Sequence, residues 1–200
     1  MAIFMNFTDL YRFAASLPLE RNMGFRTLAK KIETDHPHVG KIETWACDLD
    51  ARISMGHMEY EVERTSPYEE PYDVAVIRFD RSLNRCWQRL VCAKEMMHIF
   101  DGRNARTNSR EKFQSLLSEL ETAPVSADAS DMFKAERNAL WMALIVLCPE
   151  NLRSSHLGGD DSDANILRIA TEVKLPISAV RAIRRPYYTE VLERFTGEVP

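Results

Sequence analysis

Residues 139–148 read Ala-Leu-Trp-Met-Ala-Leu-Ile-Val-Leu-Cys and are apolar almost all the way round a helix. A surface helix carries one apolar stripe; a helix apolar on every side must be enclosed. The run is too short to cross a bilayer, which takes about 20 such residues. Pro149 ends it, and Ser130 or Asp131 can cap a helix leading into it. The chain must therefore wrap its other elements around a central helix. Two hundred residues, 45% of them hydrophobic, suffice for one substantial core. We read residues 1–200 as a single domain, with a helical N-terminal part over 1–50, a core over 51–150 and a helical C-terminal part over 151–200.

The formal net charge of -4 gives no global basic field for nucleic acid. The start Met1-Ala2-Ile3-Phe4-Met5-Asn6 has no basic stretch followed by a long apolar one, so no secretory signal is read. The four cysteines, Cys47, Cys86, Cys92 and Cys148, form no C-x-x-C pair. They read as free thiols of a reducing compartment, and a cytoplasmic setting without membrane attachment is expected.

Along the chain, Thr8 can cap a short helix ending near Leu17. A second helix is expected over Arg21–Glu33, with Phe25, Leu28 and Ile32 at helical spacing. Asp35-His36-Pro37-His38 breaks it; this H-x-H reads as loop, since no ligand partners stand at metal spacing. A helix is expected to resume over Lys41–Leu49. Strand patterns follow over Arg52–Val62 and Asp73–Asp80, the latter with Val74, Val76 and Arg78 on one side. His57 reads as a half-exposed strand residue. An amphipathic helix is expected over Glu111–Leu120. After Cys148 come two short helices, Ala164–Val173 and Ser178–Arg184, with Pro176 between them. From Asn165 to Phe195 six basic residues face three acidic ones. The second helix opens Ser178-Ala179-Val180, which suits packing better than base reading.

The segment with chemistry is Arg89-Leu90-Val91-Cys92-Ala93-Lys94-Glu95-Met96-Met97-His98, in a helix expected from Ser82 or Asn84 to Phe100. H-E-x-x-H places two imidazoles one turn apart on one zinc ion, with the Glu as general base on the bound water. Here Glu95 and His98 hold the positions of base and second ligand, but Lys94 holds the first. An ammonium has no free lone pair and repels a dication.

Arg85–His98 resembles the segment R-x-R-F-T-L-A-H-E-L-G-H of the ImmA/IrrE family of zinc-peptidase-like proteins, which act on phage and stress repressors. Arg89, Leu90, Ala93, Glu95 and His98 match. Glu136–Pro149 resembles that family's E-x-E-A-N-x-F-A-A-x-L-L-M-P, with Glu136, Ala139, Ala143, Leu147 and Pro149 in register. A third block, Ile169-Ala170 through Ile177-Ser178-Ala179-Val180, resembles its closing I-A-x-x-F-x-V-S-x-x-A-V. The likeness spans about residues 70–185. Lys94 and Asn138 depart from it, and the stretch from His98 to Glu136 suggests an insertion over about 102–130.

The resemblance implies an α+β, gluzincin-like metallopeptidase fold. A small twisted sheet would pack on the motif helix of a zincin-like core, with helical extensions at both ends. It implies that Glu95 is a vestigial general base, and His98 and Glu136 vestigial metal ligands. With Lys94 in the first ligand position, the expected function is a catalytically impaired regulatory protein. No cofactor is expected, zinc being the one such a site could still take, and the protein would bind a partner such as a helix-turn-helix repressor. Two alternatives stand beside it: an active zinc peptidase with an unusual ligand set, and a DNA-binding regulator using the C-terminal helix pair, although nucleic acid is not the expected partner. Glu95 and Glu136 without a metal would be neighbouring carboxylates, which raise one another's pKa. Lys94 is expected either to bond Glu136 as a built-in cation or to extend its stem to solvent.

Overall fold

A computed structural model describes residues 5–18, 24–49, 55–64, 66–101, 131–156 and 159–198, with backbone alone at 131–133. The helix expected over Glu111–Leu120, and the insertion around it, lie outside the described residues. So does Ser130.

The chain opens with α1 (Phe7–Ala15). Its cap is Asn6, not Thr8. The Asn6 side chain accepts from the Asp9 N–H, and Asp9 in turn accepts from the Asn6 N–H. This reciprocal pairing satisfies two backbone donors that a helix start leaves open. Helix α2 (Phe25–Asp35) buries Leu28, Ala29 and Ile32.

The expected helix over Lys41–Leu49 is instead a strand, β1 (Val39–Cys47). Ile42, Thr44 and Ala46 alternate with Lys41, Glu43 and Trp45, a period of two rather than 3.6. The N-terminal part is thus not purely helical. A boundary at residue 50 would cut the sheet, because β1 runs parallel to β3 (Tyr72–Asp80). Strand β2 (Gly56–Glu63) pairs antiparallel with β3, giving the order β1-β3-β2. The fold is α+β with a small mixed sheet. Glu33 accepts from the Ile42 N–H at 2.8 Å and so covers a donor on the outer edge of β1.

Ala75 and Ile77 of β3 face the core and are fully buried. Val74 and Val76 share the opposite face with Arg78, as the alternation requires. They are flanked in register by Lys41, Glu43, Glu59 and Glu61. Ion pairs link these neighbours, Lys41 with Glu43 and Arg78 with both Glu59 and Glu61.

Helix α3 (Arg85–Met97) starts at Asn84, whose side chain accepts from the N–H groups of Cys86 and Trp87. It ends earlier than expected. His98–Phe100 tightens into a 3-10 turn. Gly56 lets β2 lie against this helix. A Cβ there would stand 2.5 Å from Val91 Cγ1 and 2.9 Å from the Arg78 carbonyl oxygen. Helix α4 (Asp131–Leu147) is the enclosed element: every residue from Ala139 to Leu147 is buried.

Four helices complete the chain. They are α5 (Glu150–His156), α6 (Asp163–Val173), α7 (Ile177–Ile183) and α8 (Tyr187–Thr196). Helices α6 and α7 were expected from the sequence; α5 and α8 were not. Lys174 ends α6 in the left-handed region at φ 53°. One apolar cluster joins Leu10 of α1, Leu144 of α4, Val180 of α7 and Leu192 of α8. Among the described residues no helix is long and apolar enough to cross a membrane.

The buried guanidinium of Arg89 fastens the C-terminal helices to α3. It donates to the carbonyls of Val173 at 2.7 Å, Lys174 at 2.9 Å and Leu147 at 3.2 Å. The Tyr188 hydroxyl donates to the Cys148 carbonyl at 2.9 Å. Ile166, Ile169, Val180, Ile183 and Leu192 are buried against the common core. Proteolysis at 158–159 is therefore expected to yield no soluble, folded C-terminal fragment. A monodisperse fragment with a cooperative unfolding transition would contradict one shared core.

Candidate functional site

The last turn of α3 carries Lys94 and Glu95 into the interior, where each residue is 4% exposed. The 3-10 turn that follows sets His98. In that tighter turn residues three apart eclipse, which brings Asp101 under the imidazole. The contact from His98 Nδ1 to Asp101 Oδ2 is 2.6 Å. Glu136 enters from the facing side, in the second turn of α4, and is also buried. The four residues singled out from the sequence therefore meet: Lys94, Glu95, His98 and Glu136. Asp101 was not singled out from the sequence. Its signal was an acid three residues after the motif histidine.

Lys94 does not reach for solvent. Its Nζ bonds Glu136 Oε2 directly and lies 3.0 Å from Glu95 Oε1. Each carboxylate turns its other oxygen toward His98. Nε2 of the imidazole is 3.4 Å from Glu136 Oε1 and 4.0 Å from Glu95 Oε2. The result is an open ring of lysine, glutamate, histidine and glutamate, in which Nε2 of His98 lies near both carboxylates without a hydrogen bond to either. Buried charges persist only when paired in this way.

The proton affinities follow from that ring. Burial alone would lower the His98 pKa, but the Asp101 bond and the Glu136 carboxylate outweigh it and push it up to about 9. Burial would raise that of Glu136; His98 and Lys94 outweigh it and hold it at about 2. Burial also works against charge on Lys94, yet Glu95 and Glu136 keep its pKa above the ordinary value. At neutral pH His98 is an imidazolium and Lys94 an ammonium.

These shifts make stability pH-dependent. His98 is raised from 6.5 to about 9, so its contribution is complete below 6.5 and lost as pH rises through 9. Glu136 is depressed from 4.5 to about 2, so its contribution is complete above 4.5 and lost as pH falls through 2. The expected stability maximum lies between these limits. On the alkaline side the loss should approach about 3 kcal/mol, at 1.36 kcal/mol per pKa unit. Urea unfolding from pH 6 to 9.5 checks it. His98→Gln should flatten the alkaline slope, and an unchanged slope would contradict the assignment.

The geometry bears on catalysis directly. A general base must reach a water held beside it. Glu95 is buried, with one oxygen on the Lys94 ammonium. The residues do not fit a zinc ion as they stand. The Lys94 ammonium bonds the would-be ligand Glu136 and lies 3.0 Å from Glu95 Oε1, in the space a metal would need. Among the described residues no group of three or more His, Cys, Asp or Glu side chains is arranged to hold a metal ion.

Other residues noted in the sequence stand elsewhere. His36 Nδ1 accepts from the N–H of Val39 at 3.2 Å, and its ring meets Phe100 edge-on. His36 thus shapes the turn into β1. His57 is half-buried on β2. Cys92 and Cys148 are buried, and burial pushes both thiols up to about 12. In the C-terminal helix pair the arginines are engaged by the chain's own groups. Arg168 bonds Glu172 and Asn165, Arg181 bonds Asp163, and Arg184 bonds Asp161. No protein-family model matches the chain, and neither a curated protein nor a solved structure was found to match it.

Proposed function

We propose that the chain is a degenerate ImmA/IrrE-type regulatory protein of gluzincin-like fold, which binds a partner instead of cleaving it. The observation that supports this reading is the Lys94 ammonium lying between Glu95 and Glu136. Peptide hydrolysis on such a scaffold needs three protein ligands, an open position and a free base. Here the base and one ligand are tied to the same ammonium. The scaffold would then serve recognition. The partner class we propose is a repressor-type transcription factor carrying a helix-turn-helix, and a cytoplasmic setting belongs to the same proposal. The paired arginines of α6 and α7 speak against the DNA-binding alternative, because charges already bonded at home are poor phosphate anchors.

The test mixes tag-free protein with helix-turn-helix repressors encoded beside its gene. Calorimetry reads binding and mass spectrometry reads cleavage, each with added zinc and with a chelator. Saturable binding to one repressor, no new fragments and indifference to the chelator are expected. Cleavage that stops on chelation would overturn the proposal, and binding to none of the neighbouring repressors would remove the partner class.

A further inference from the structure

Three donor side chains converge at the end of α3: Glu95, His98 and, from α4, Glu136. Two carboxylates and an imidazole are donor types that divalent cations take, but with Lys94 among them the three are not arranged to hold one. The point between the carboxylates is taken by Lys94 Nζ, which reaches one oxygen of each. The remaining oxygens face His98 Nε2. A cation tethered to the same helix competes for these donors at a high effective concentration. It is also enclosed, so a metal ion could enter only by expelling it. Removing the ammonium would leave two carboxylates unbalanced in a buried site and would free the volume of its four-carbon stem.

We infer that Lys94 is an intramolecular plug: the native centre takes no divalent cation, and deleting the ammonium alone uncovers a divalent-cation site on Glu95, His98 and Glu136. Water would complete the coordination, as it does wherever zinc has three protein ligands. The inference concerns the metal chemistry of the centre and stands or falls independently of which partner the protein binds.

Zinc titration at pH 7.5 into tag-free wild type, Lys94→Ala and Lys94→Ala/Glu136→Gln tests it, with thermal unfolding in the presence and absence of zinc. One zinc site should appear in Lys94→Ala, at least about 100-fold tighter than any in the wild type. It should weaken about 10-fold or more when Glu136 is also replaced. Zinc should raise Tm in Lys94→Ala and leave the wild type unmoved. Were Lys94→Ala unfolded without metal, far-ultraviolet circular dichroism during zinc addition gives the reading. Zinc-driven recovery supports the plug, and no recovery overturns it. A folded Lys94→Ala that binds no zinc overturns it too. So does a wild-type zinc site lost on Glu136→Gln, or a site in Lys94→Ala that ignores Glu136→Gln, the mark of adventitious binding at surface histidines.

Discussion

Lys94→Ala, in metal-free buffer, is expected to lose about 3–5 kcal/mol of stability, the range for breaking a buried ion pair from one side. The loss comes mainly from what stays behind. Glu95 and Glu136 are both buried, and each would lose its bond to the ammonium. Only His98 would then offset two adjacent negative charges. The same substitution in a Glu136→Gln background should cost less by about 1–3 kcal/mol, because one of the stranded charges is already gone. Urea unfolding of the four proteins of this cycle measures the coupling directly. Equal costs in both backgrounds would mean that Lys94 and Glu136 touch without stabilising one another. The presence of that coupling separates a built-in cation from a lysine merely trapped by packing.

Arg89→Ala should be the second large effect, again about 3–5 kcal/mol. The Arg89 guanidinium serves three carbonyls at once, those of Leu147, Val173 and Lys174. Burial lowers its pKa to about 10, still far above neutrality, so these bonds are charge-assisted. Each buried carbonyl left without a donor costs about 1–3 kcal/mol. Leu147 and Val173 end α4 and α6, where the last carbonyls of a helix have no partner of their own. Lys174 sits in the left-handed conformation that closes α6. Losing Arg89 should therefore loosen the C-terminal helices first. Hydrogen exchange should show faster exchange in α6 and α7 than in the sheet. Uniform loss of protection across the chain would instead mark Arg89 as one more core contact. Arg89→Lys should rescue only part of the loss, since one ammonium cannot span three carbonyls fixed by the guanidinium fork.

How much of this was legible in the sequence differs from element to element. The central helix was plain because Ala139–Cys148 leaves no polar side to expose. The end of α3 was legible because E-x-x-H fixes two side chains on one face whatever surrounds them. Glu136 was different. Nothing local says that a glutamate in the second turn of α4 should face His98, and its position came from a resemblance of blocks. Asp101 was missed because its role depends on the helix tightening at His98, a change of geometry that composition does not announce. The strand β1 was misread for a related reason. Ile42 and Ala46 stand four apart and suit a helix, while Ile42, Thr44 and Ala46 equally suit one face of a strand. Pairing with β3, distant in sequence, decides between them. Helix α8 was missed although Tyr188, Val191 and Leu192 bury a clear face. Arg89 matched a pattern in the sequence, but its three carbonyls come from helix ends that only the fold brings together.

An ammonium of the chain itself stands among these carboxylates, in the place a metal would take. The most direct test is the metal content of tag-free wild-type protein purified from zinc-replete cells and measured by plasma mass spectrometry. Far less than one zinc per chain, about 0.1 or below and unchanged by Glu136→Gln, is expected. About one tightly held zinc per chain, the amount a formed site retains through purification, lost on Glu136→Gln, would contradict it.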